Sequence, residues 1–540
     1  MFRGRIALVQ PPLAVGESYH LAEPVGLLIV GAALRAAGFG DVRLLDLALE
    51  FAEGSLPPGA DLIETSARRL AHVEADSYGF SVQCVDLPLV LPIARRLKAL
   101  LPDTRVILGG HQASLLGSEL VKRFDFIDEV VQGSGESYVG VPQDHWIEPA
   151  YDLAPDFSRY ARVSRLPTGL VEVGRGCPYN CSYCSIPAAL GRRMRHKPVE
   201  HIVREVRLLR ERGCTHVHFV HDTLTLNRDF VSSLLTALEA HCGGITWSGM
   251  TRADLVDADL LKAMARSGCQ GILIGLDSVD DLSLSLIDKR AHRYPSLIDL
   301  VTWHDDADIA PTFYFLVDLP GDTRESTERS LRHAALASVI DPGCCRIQGL
   351  RVVPGTRMAA RRELDLTMDT ASPYAQWLVA TVGTSGEPWD LIARHPDLFS
   401  TYYKAAGPLD HPTASALTWQ GTKLFESFPM TLAALAERRG ILELFEALGR
   451  RAPGRTLARR VESETADFLE SHFAEHAPDL VDVVRFEYWL RAGKGTLRSR
   501  VSPTAVRDAV LNRRPLTPAL FGAQRLYRHR TQEGGDNGNG

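Results

Sequence analysis

The sequence predicts an α/β protein in three parts. These are an N-terminal doubly wound (Rossmann-like) parallel sheet, a partial (β/α)6 barrel of the TIM type, and a helical C-terminal domain. Two strand–helix alternations carry the prediction, one over residues 1–140 and a longer one over 169–360, each with glycines at strand ends. The third observation is the loss of that alternation after Arg361. The expected divisions are 1–140, a linker at 141–168, 169–360, 361–530 and a disordered Gly/Asn/Asp tail at 531–540.

In the first part, residues 5–10 read as a strand that ends in Pro11-Pro12. Residues 24–37 read as an apolar helix closed by Gly38 and Gly40. A second strand follows at 42–45. Apolar runs at 76–81, 105–108 and 128–132 supply three more, the last two stopped by Gly109-Gly110 and Gly133-Ser134-Gly135. Residues 88–101 and 114–124 read as helices between them. In such a sheet ligands sit beyond the carboxyl ends of the strands. Gly133-Ser134-Gly135-Glu136 is not a dinucleotide fingerprint, because position 138 is Tyr.

Residues 141–168 hold Pro and Asp without periodicity and read as a crossing linker. Strands are expected at 170–173, 216–220, 246–250, 271–276, 311–317 and 346–352, with helices including 199–212, 228–241 and 257–267. Six such βα units indicate a partial barrel whose carboxyl-end loops form the active face. Beyond residue 375, the segments 432–448, 457–473 and 480–490 carry apolar residues at helical spacing. The aromatics Trp377, Trp389, Tyr402, Tyr403, Trp419, Phe425 and Phe428 read as core more than as a substrate box. Tyr294, Phe313 and Tyr314 are candidates to touch substrate, with packing an equal alternative.

A net charge of −6 and only local arginine clusters argue against nucleic acid as a partner. The longest apolar stretch, near 25–34, contains glycines and is too short to span a bilayer. The N-terminus reads as a first strand and not as a targeting segment, so a reducing, cytoplasmic setting is expected.

The tightest chemical signal is Cys177-x3-Cys181-x2-Cys184, in the run Val173-Gly-Arg-Gly-Cys-Pro-Tyr-Asn-Cys-Ser-Tyr-Cys184. Three thiolates at these offsets can hold three irons of a [4Fe-4S] cube and leave the fourth open. A zinc site would favour paired Cys-x2-Cys or Cys/His knuckles. Disulfides are disfavoured, since the cysteine count is 9 and Cys344 adjoins Cys345. Cys84, Cys214, Cys242 and Cys269 read as small buried hydrophobes.

With Tyr183 just before its last cysteine, this loop resembles that of the radical S-adenosylmethionine (radical SAM) enzymes, and the likeness extends over residues 169–360. It implies that Cys177, Cys181 and Cys184 are the cluster ligands and that the open iron binds the amino and carboxylate groups of SAM. It also implies reductive cleavage of SAM to a 5′-deoxyadenosyl radical, which needs no protein acid or base. By the same resemblance Tyr183, His221, Asp222, Arg252, Asp277, Ser278 and Pro354 contact SAM. Arg252 would pair with its carboxylate, and relatives usually carry Glu in place of Asp277.

Residues 1–140 resemble the cobalamin-binding domain that precedes the barrel in one branch of the family, the class B methyltransferase-like enzymes. The matching segments are Val9-Gln-Pro-Pro12, the helix start at Pro24, Gly79-Phe-Ser81, Gly109-Gly110 and Gly133-Ser-Gly135-Glu136. They imply cobalamin contacts at Gln10, Pro11, Pro12, Ser81, Val82, Gln83, Gly109, Gly110, His111, Gly133, Gly135 and Glu136. The Asp-x-His-x-x-Gly motif that supplies an axial histidine to cobalt is absent: none of His20, His72, His111 or His145 has that context. Both a cobalamin without a histidine ligand and a domain that has lost the cofactor fit that absence. The resemblance implies methylation of an unactivated carbon of a natural product or peptide, with an electron donor such as flavodoxin or ferredoxin. Cyclisation, ring rearrangement or oxidation without methyl transfer, and a non-catalytic binding role, are the alternatives.

Overall fold

In the computed structural model the first alternation builds one parallel sheet in which β1 (Ile6–Gln10) lies between β2 (Val42–Asp46) and β3 (Ser77–Ser81). Beyond β3 come β4 (Arg105–Gly109) and the two-residue β5 (Glu129–Val130). Residues 4–13, 21–142, 144–164, 166–289, 295–361, 365–438, 440–451, 461–492, 496–499, 503–514, 516 and 525–528 are described. His20, Tyr294, the start of the expected 457–473 helix and the 531–540 tail lie outside them.

Ile6, Ala7, Leu8 and Val9 are all buried, because helices cover both faces of a parallel sheet. The covering helices are α1 (Val25–Ala36), α2 (Leu47–Ala52), α3 (Leu62–Ala71), α4 (Leu87–Leu100), α5 (His111–Leu116) and α6 (Ser118–Arg123). The helix expected at 114–124 is therefore two short helices broken at Gly117, and the strand expected at 128–132 pairs over only two residues.

The 141–168 segment is packed, contrary to its reading as an irregular linker. It carries a 3-10 turn at Tyr151–Leu153 and a helix α7 (Phe157–Val163), started by Asp156, whose carboxylate accepts from the Ser158 N–H at 2.8 Å. Tyr151, Phe157 and Tyr160 are buried, and the Tyr160 hydroxyl donates to Asp46 Oδ2 at 2.7 Å. Aromatic anchors at wide spacing fasten this stretch without leaving a helical period.

The second alternation forms a six-stranded, wholly parallel sheet. Its strands are β6 (Thr168–Glu172), β9 (His216–Val220), β10 (Thr246–Arg252), β11 (Cys269–Asp277), β12 (Ala310–Val317) and β13 (Cys345–Gly349), adjacent in that order. The first and last strands do not pair, so the barrel is partial. Between β6 and β9 a short antiparallel pair, β7 (Gly174–Arg175) with β8 (Arg195–His196), closes the neck of the cysteine loop. That loop contains α8 (Ile186–Leu190). The remaining helices are α9 (Val199–Glu211), α10 (Arg228–His241), α11 (Ala258–Arg266), α12 (Asp281–Leu286), α13 (Leu297–Ala307) and α14 (Arg324–Ile340). Phe313 is fully buried on the helix side of β12, its ring edge-on to His304 at 5.9 Å, so it packs and does not reach the barrel interior.

The C-terminal region is helical, with two small antiparallel pairs that its sequence did not announce: β14 (Leu366–Met368) with β15 (Tyr403–Ala405), and β16 (Thr496–Ser499) with β17 (Arg525–Arg528). It has no single core of its own. α15 (Pro373–Val382) and α16 (Glu387–Arg394) put Leu378 and Ile392 into the hydrophobic core of the first sheet, and the segment after α16 adds Phe399 and Tyr402. α17 (His411–Ala416), α18 (Thr422–Ser427), α19 (Pro429–Ala436), α20 (Leu442–Arg451), α21 (Val461–His476), α22 (Val481–Ala492) and α23 (Pro503–Leu511) share the core of the barrel. Among the described residues no helix is long and apolar enough to cross a membrane.

Candidate active site

The cysteine loop leaves β7 and is held at several points. The Cys177 N–H donates to Gly191 O at 3.2 Å, and the Ser182 N–H donates to Ile287 O at 2.9 Å. The Met358 N–H donates to Ser182 O at 2.8 Å, which ties the loop to the turn after β13. Cys177 Sγ lies 3.4 Å from Thr223 Oγ1 beyond β9. Among the described residues no three His, Cys, Asp or Glu side chains converge as ligands of one ion would. Three thiolates at these offsets on one loop suit a cube, where each takes its own iron. Burial pushes the Cys184 thiol up to about 12. It also raises Cys181, against the opposing pull of Lys289 and Arg252. Loading of a cluster must therefore expel these protons.

A cavity of about 380 Å³ lies where the carboxyl ends of the two parallel sheets meet. The first sheet contributes Ser81, Gln83, Gly109, Gly110, His111, Gly133, Gly135 and Glu136, and the barrel contributes Glu172, Gly174, Arg175, His221 and Asp222. Its inner wall is apolar, with Leu8, Val30 and Ile107. The polar rim and apolar interior suit a large cofactor with a hydrogen-bonding periphery. Gly110 shows how closely the floor is packed: it has φ 91° and ψ −174°, and a Cβ there would lie 2.8 Å from Val82 N and 2.9 Å from Val82 O.

The other expected contacts, including Tyr183, Arg252, Asp277, Ser278 and Pro354, are not among the residues that line this cavity. Val82 is buried beneath it, its N–H donating to Gly109 O at 2.8 Å. Gln10, Pro11 and Pro12 end β1 and are not among the cavity's lining residues. Tyr183 and Asp277 are joined to each other, the hydroxyl donating to Asp277 Oδ2 at 2.6 Å. Lys289 donates to the same oxygen at 2.7 Å and to Gly275 O at 2.9 Å. Asp277 holds a left-handed φ of 68°, where the pairing of β11 with β12 shifts register. The Arg252 guanidinium is engaged by Asp254 at 2.9 and 3.0 Å and lies 3.9 Å over the Tyr179 ring. Ser278 Oγ accepts from the Asp280 N–H at 3.0 Å. Pro354 O accepts from Gln112 Nε2 at 3.5 Å, a contact between the barrel mouth and α5.

His221 and Asp222 are the barrel's candidate polar contacts in the cavity. Burial, with His196 nearby, lowers the His221 imidazole to about 4, and its Nδ1 accepts the Thr223 N–H at 2.9 Å. The neutral ring then carries its proton on Nε2, which is buried without a partner. Burial raises the Asp222 carboxyl to about 6. Glu172, Arg175 and Lys289 escaped the sequence reading. For Glu172 and Arg175 a charge at an otherwise apolar strand end was the available sign, while Lys289, after α12, had none, and surface charges look the same in a sequence.

Two family models match the chain, the Radical SAM superfamily over residues 171–334 and the B12 binding domain over residues 12–140. Among curated proteins it is 29% identical over 225 residues to an uncharacterised methyltransferase of Pyrococcus horikoshii, covering 41% of this chain and 48% of that protein. It is 26% identical over 323 residues to the hopanoid C-3 methylase of Methylococcus capsulatus, covering 53% and 59%. It is also 26% identical over 354 residues to the anaerobic magnesium-protoporphyrin IX monomethyl ester cyclase of a Synechocystis strain, covering 56% and 69%. The matches thus span about half to two thirds of the length of these relatives. In fold it is similar to the methyltransferase TsrM of Kitasatospora setae solved with tryptophan and a SAM analogue, with TM-score 0.60, 18% identity and coverage of 86% and 99%. It is likewise similar to the cobalamin-dependent radical enzyme OxsB, with TM-score 0.57, 12% identity and coverage of 90% and 79%.

Proposed function

For this chain, which belongs to the radical SAM superfamily and carries a B12-binding domain, we propose cobalamin-dependent methylation of an unactivated carbon in a natural product or peptide. The observation that carries the reading is a cavity walled by both domains. When bound, the cluster and SAM supply a carbon-centred radical and cobalamin supplies a transferable methyl group. Cys177, Cys181 and Cys184 would hold the cluster, and Asp222 would receive the SAM ammonium. Ser81, Gln83, Gly109, Gly110, His111, Gly133, Gly135 and Glu136 would line the cobalamin side. The β7–β8 pair aims the cysteine loop, and the unpartnered His221 Nε2–H is available to an acceptor on a bound molecule. Electrons would come from a flavodoxin or ferredoxin, in the cytoplasm.

Asp222 makes the reading sensitive to pH. Its carboxyl is raised, so it is neutral below about 6 and charged above. A site for an ammonium group is then intact at pH 7 and lost as pH falls through 6. SAM affinity is expected to drop roughly tenfold between pH 7 and pH 5. Equilibrium dialysis checks this, and Asp222→Asn should flatten the profile; a steep profile in that variant assigns the ammonium elsewhere.

The relative named as a cyclase favours a second reading, radical remodelling without methyl transfer. Counting products separates the two. Methylation yields S-adenosylhomocysteine together with 5′-deoxyadenosine, whereas remodelling yields the nucleoside alone. Turnover with no S-adenosylhomocysteine would overturn methylation.

A further inference from the structure

We propose that Arg175 is a positioning residue that couples the cobalamin cavity to the cluster loop, so that filling either site tightens the other. The proposal rests on the two-cofactor reading above. Arg175 stands two residues before Cys177 and is 5% exposed. Its Nε and Nη2 each donate to the Glu172 carboxylate at 2.7 Å, at the end of β6. Its Nη1 is bonded to Glu136, which is 3% exposed and directly follows Gly133-Ser134-Gly135 in the cavity wall. One guanidinium therefore ties the backbone that feeds the first cysteine to the loop that borders the cofactor cavity.

Both partners of this tie are buried, and the Trp146 ring stacks on the guanidinium with its centroid at 4.9 Å. A buried ion pair that loses one partner leaves an uncompensated charge, so both loops are held to the arrangement that keeps it. The backbone on either side has no slack. A Cβ at Gly174 would lie 2.6 Å from His221 Cδ2 and 2.8 Å from Arg195 O, and Gly176 takes a left-handed φ of 81°. A displacement of Glu136 is thus passed through Arg175 to Cys177. By linkage the effect is reciprocal: a bound cluster that orders the Cys177 loop must favour cobalamin by the same factor.

The test uses the full chain and measures hydroxocobalamin dissociation constants by equilibrium dialysis, before and after anaerobic reconstitution with iron and sulfide. In the wild type, loading the cluster is expected to tighten cobalamin at least about fivefold, the lower end of typical couplings. Glu136→Gln keeps the shape and the Arg175–Glu172 pair, so it should fold and, whatever its own affinity for cobalamin, bring that ratio to about one. Glu136→Asp should recover part of the coupling, which a merely structural role would not require. Arg175→Met strands the buried Glu136 carboxylate and the half-buried Glu172 and risks the fold, so the Gln variant decides. A ratio in Glu136→Gln equal to the wild type, or no coupling in the wild type, overturns the proposal. A wild type that loads iron but takes no cobalamin overturns the functional reading itself.

Discussion

Cys181→Ala is expected to abolish reductive cleavage of SAM while leaving cobalamin in place. Three thiolates secure three irons, and two leave the cube free to lose iron. Formation of 5′-deoxyadenosine should fall on the order of 10³-fold or more, as when the group that performs the chemistry is removed. Iron content after anaerobic reconstitution should fall with it. The cavity walls contributed by the first sheet are untouched, so hydroxocobalamin should still bind, weakened only by the loss of its coupling to the cluster. Cys84→Ala is the control: burial pushes that thiol up to about 12, and it lies in the loop after β3, away from the cysteine loop. Wild-type cleavage by Cys181→Ala would remove the cluster assignment altogether.

Gly110→Ala should have the opposite selectivity, costing cobalamin and sparing iron. At φ 91° and ψ −174° Gly110 occupies backbone space that is essentially closed to other residues. A methyl group would press on the backbone of Val82, which has no flexible end to move aside. The two loops are knitted there by Val82 N–H to Gly109 O at 2.8 Å and Gln112 N–H to Val82 O at 3.1 Å. Strain alone should cost about 1–3 kcal/mol, read as a lower midpoint of thermal unfolding. Forcing the loops apart should displace Gly109 and His111, so retention of hydroxocobalamin should fall sharply while reconstitution with excess iron and sulfide still loads the cluster. Full retention in a variant of unchanged stability would show that these loops do not form the floor of the site.

Much of the architecture was legible because it is written in local periodicity. Buried runs such as Ile6–Gln10 and His216–Val220, ended by glycine or a polar residue, mark parallel strands wherever they occur. The cysteine spacing is legible for the same reason, since cluster ligands on one loop need fixed short offsets. Legibility failed where one side chain acts over distance. The 141–168 segment read as irregular because its order comes from Tyr151, Phe157 and Tyr160 docking onto other elements. Phe313 and Tyr314 looked equivalent until the strand's pleat sent Phe313 toward His304. The C-terminal helices were expected to form a domain of their own, yet Leu378 and Tyr402 pack with the first sheet while Phe425 and Phe445 pack with the barrel. Helical periodicity reports that a face is apolar and says nothing of which partner covers it.

By itself the sequence determined the strand–helix alternations, the cysteine loop and the likeness to cobalamin-binding radical SAM proteins. Only the tertiary structure decided that the two sheets share one cavity, that Arg175 joins Glu136 to Glu172 beside it, and that Lys289 and Tyr183 meet at Asp277. Backbone hydrogen bonding and ligand spacing repeat over a few residues and leave a pattern in the chain. A buried ion pair between residues 39 positions apart leaves none, and it exists only once folding has excluded the water between its charges.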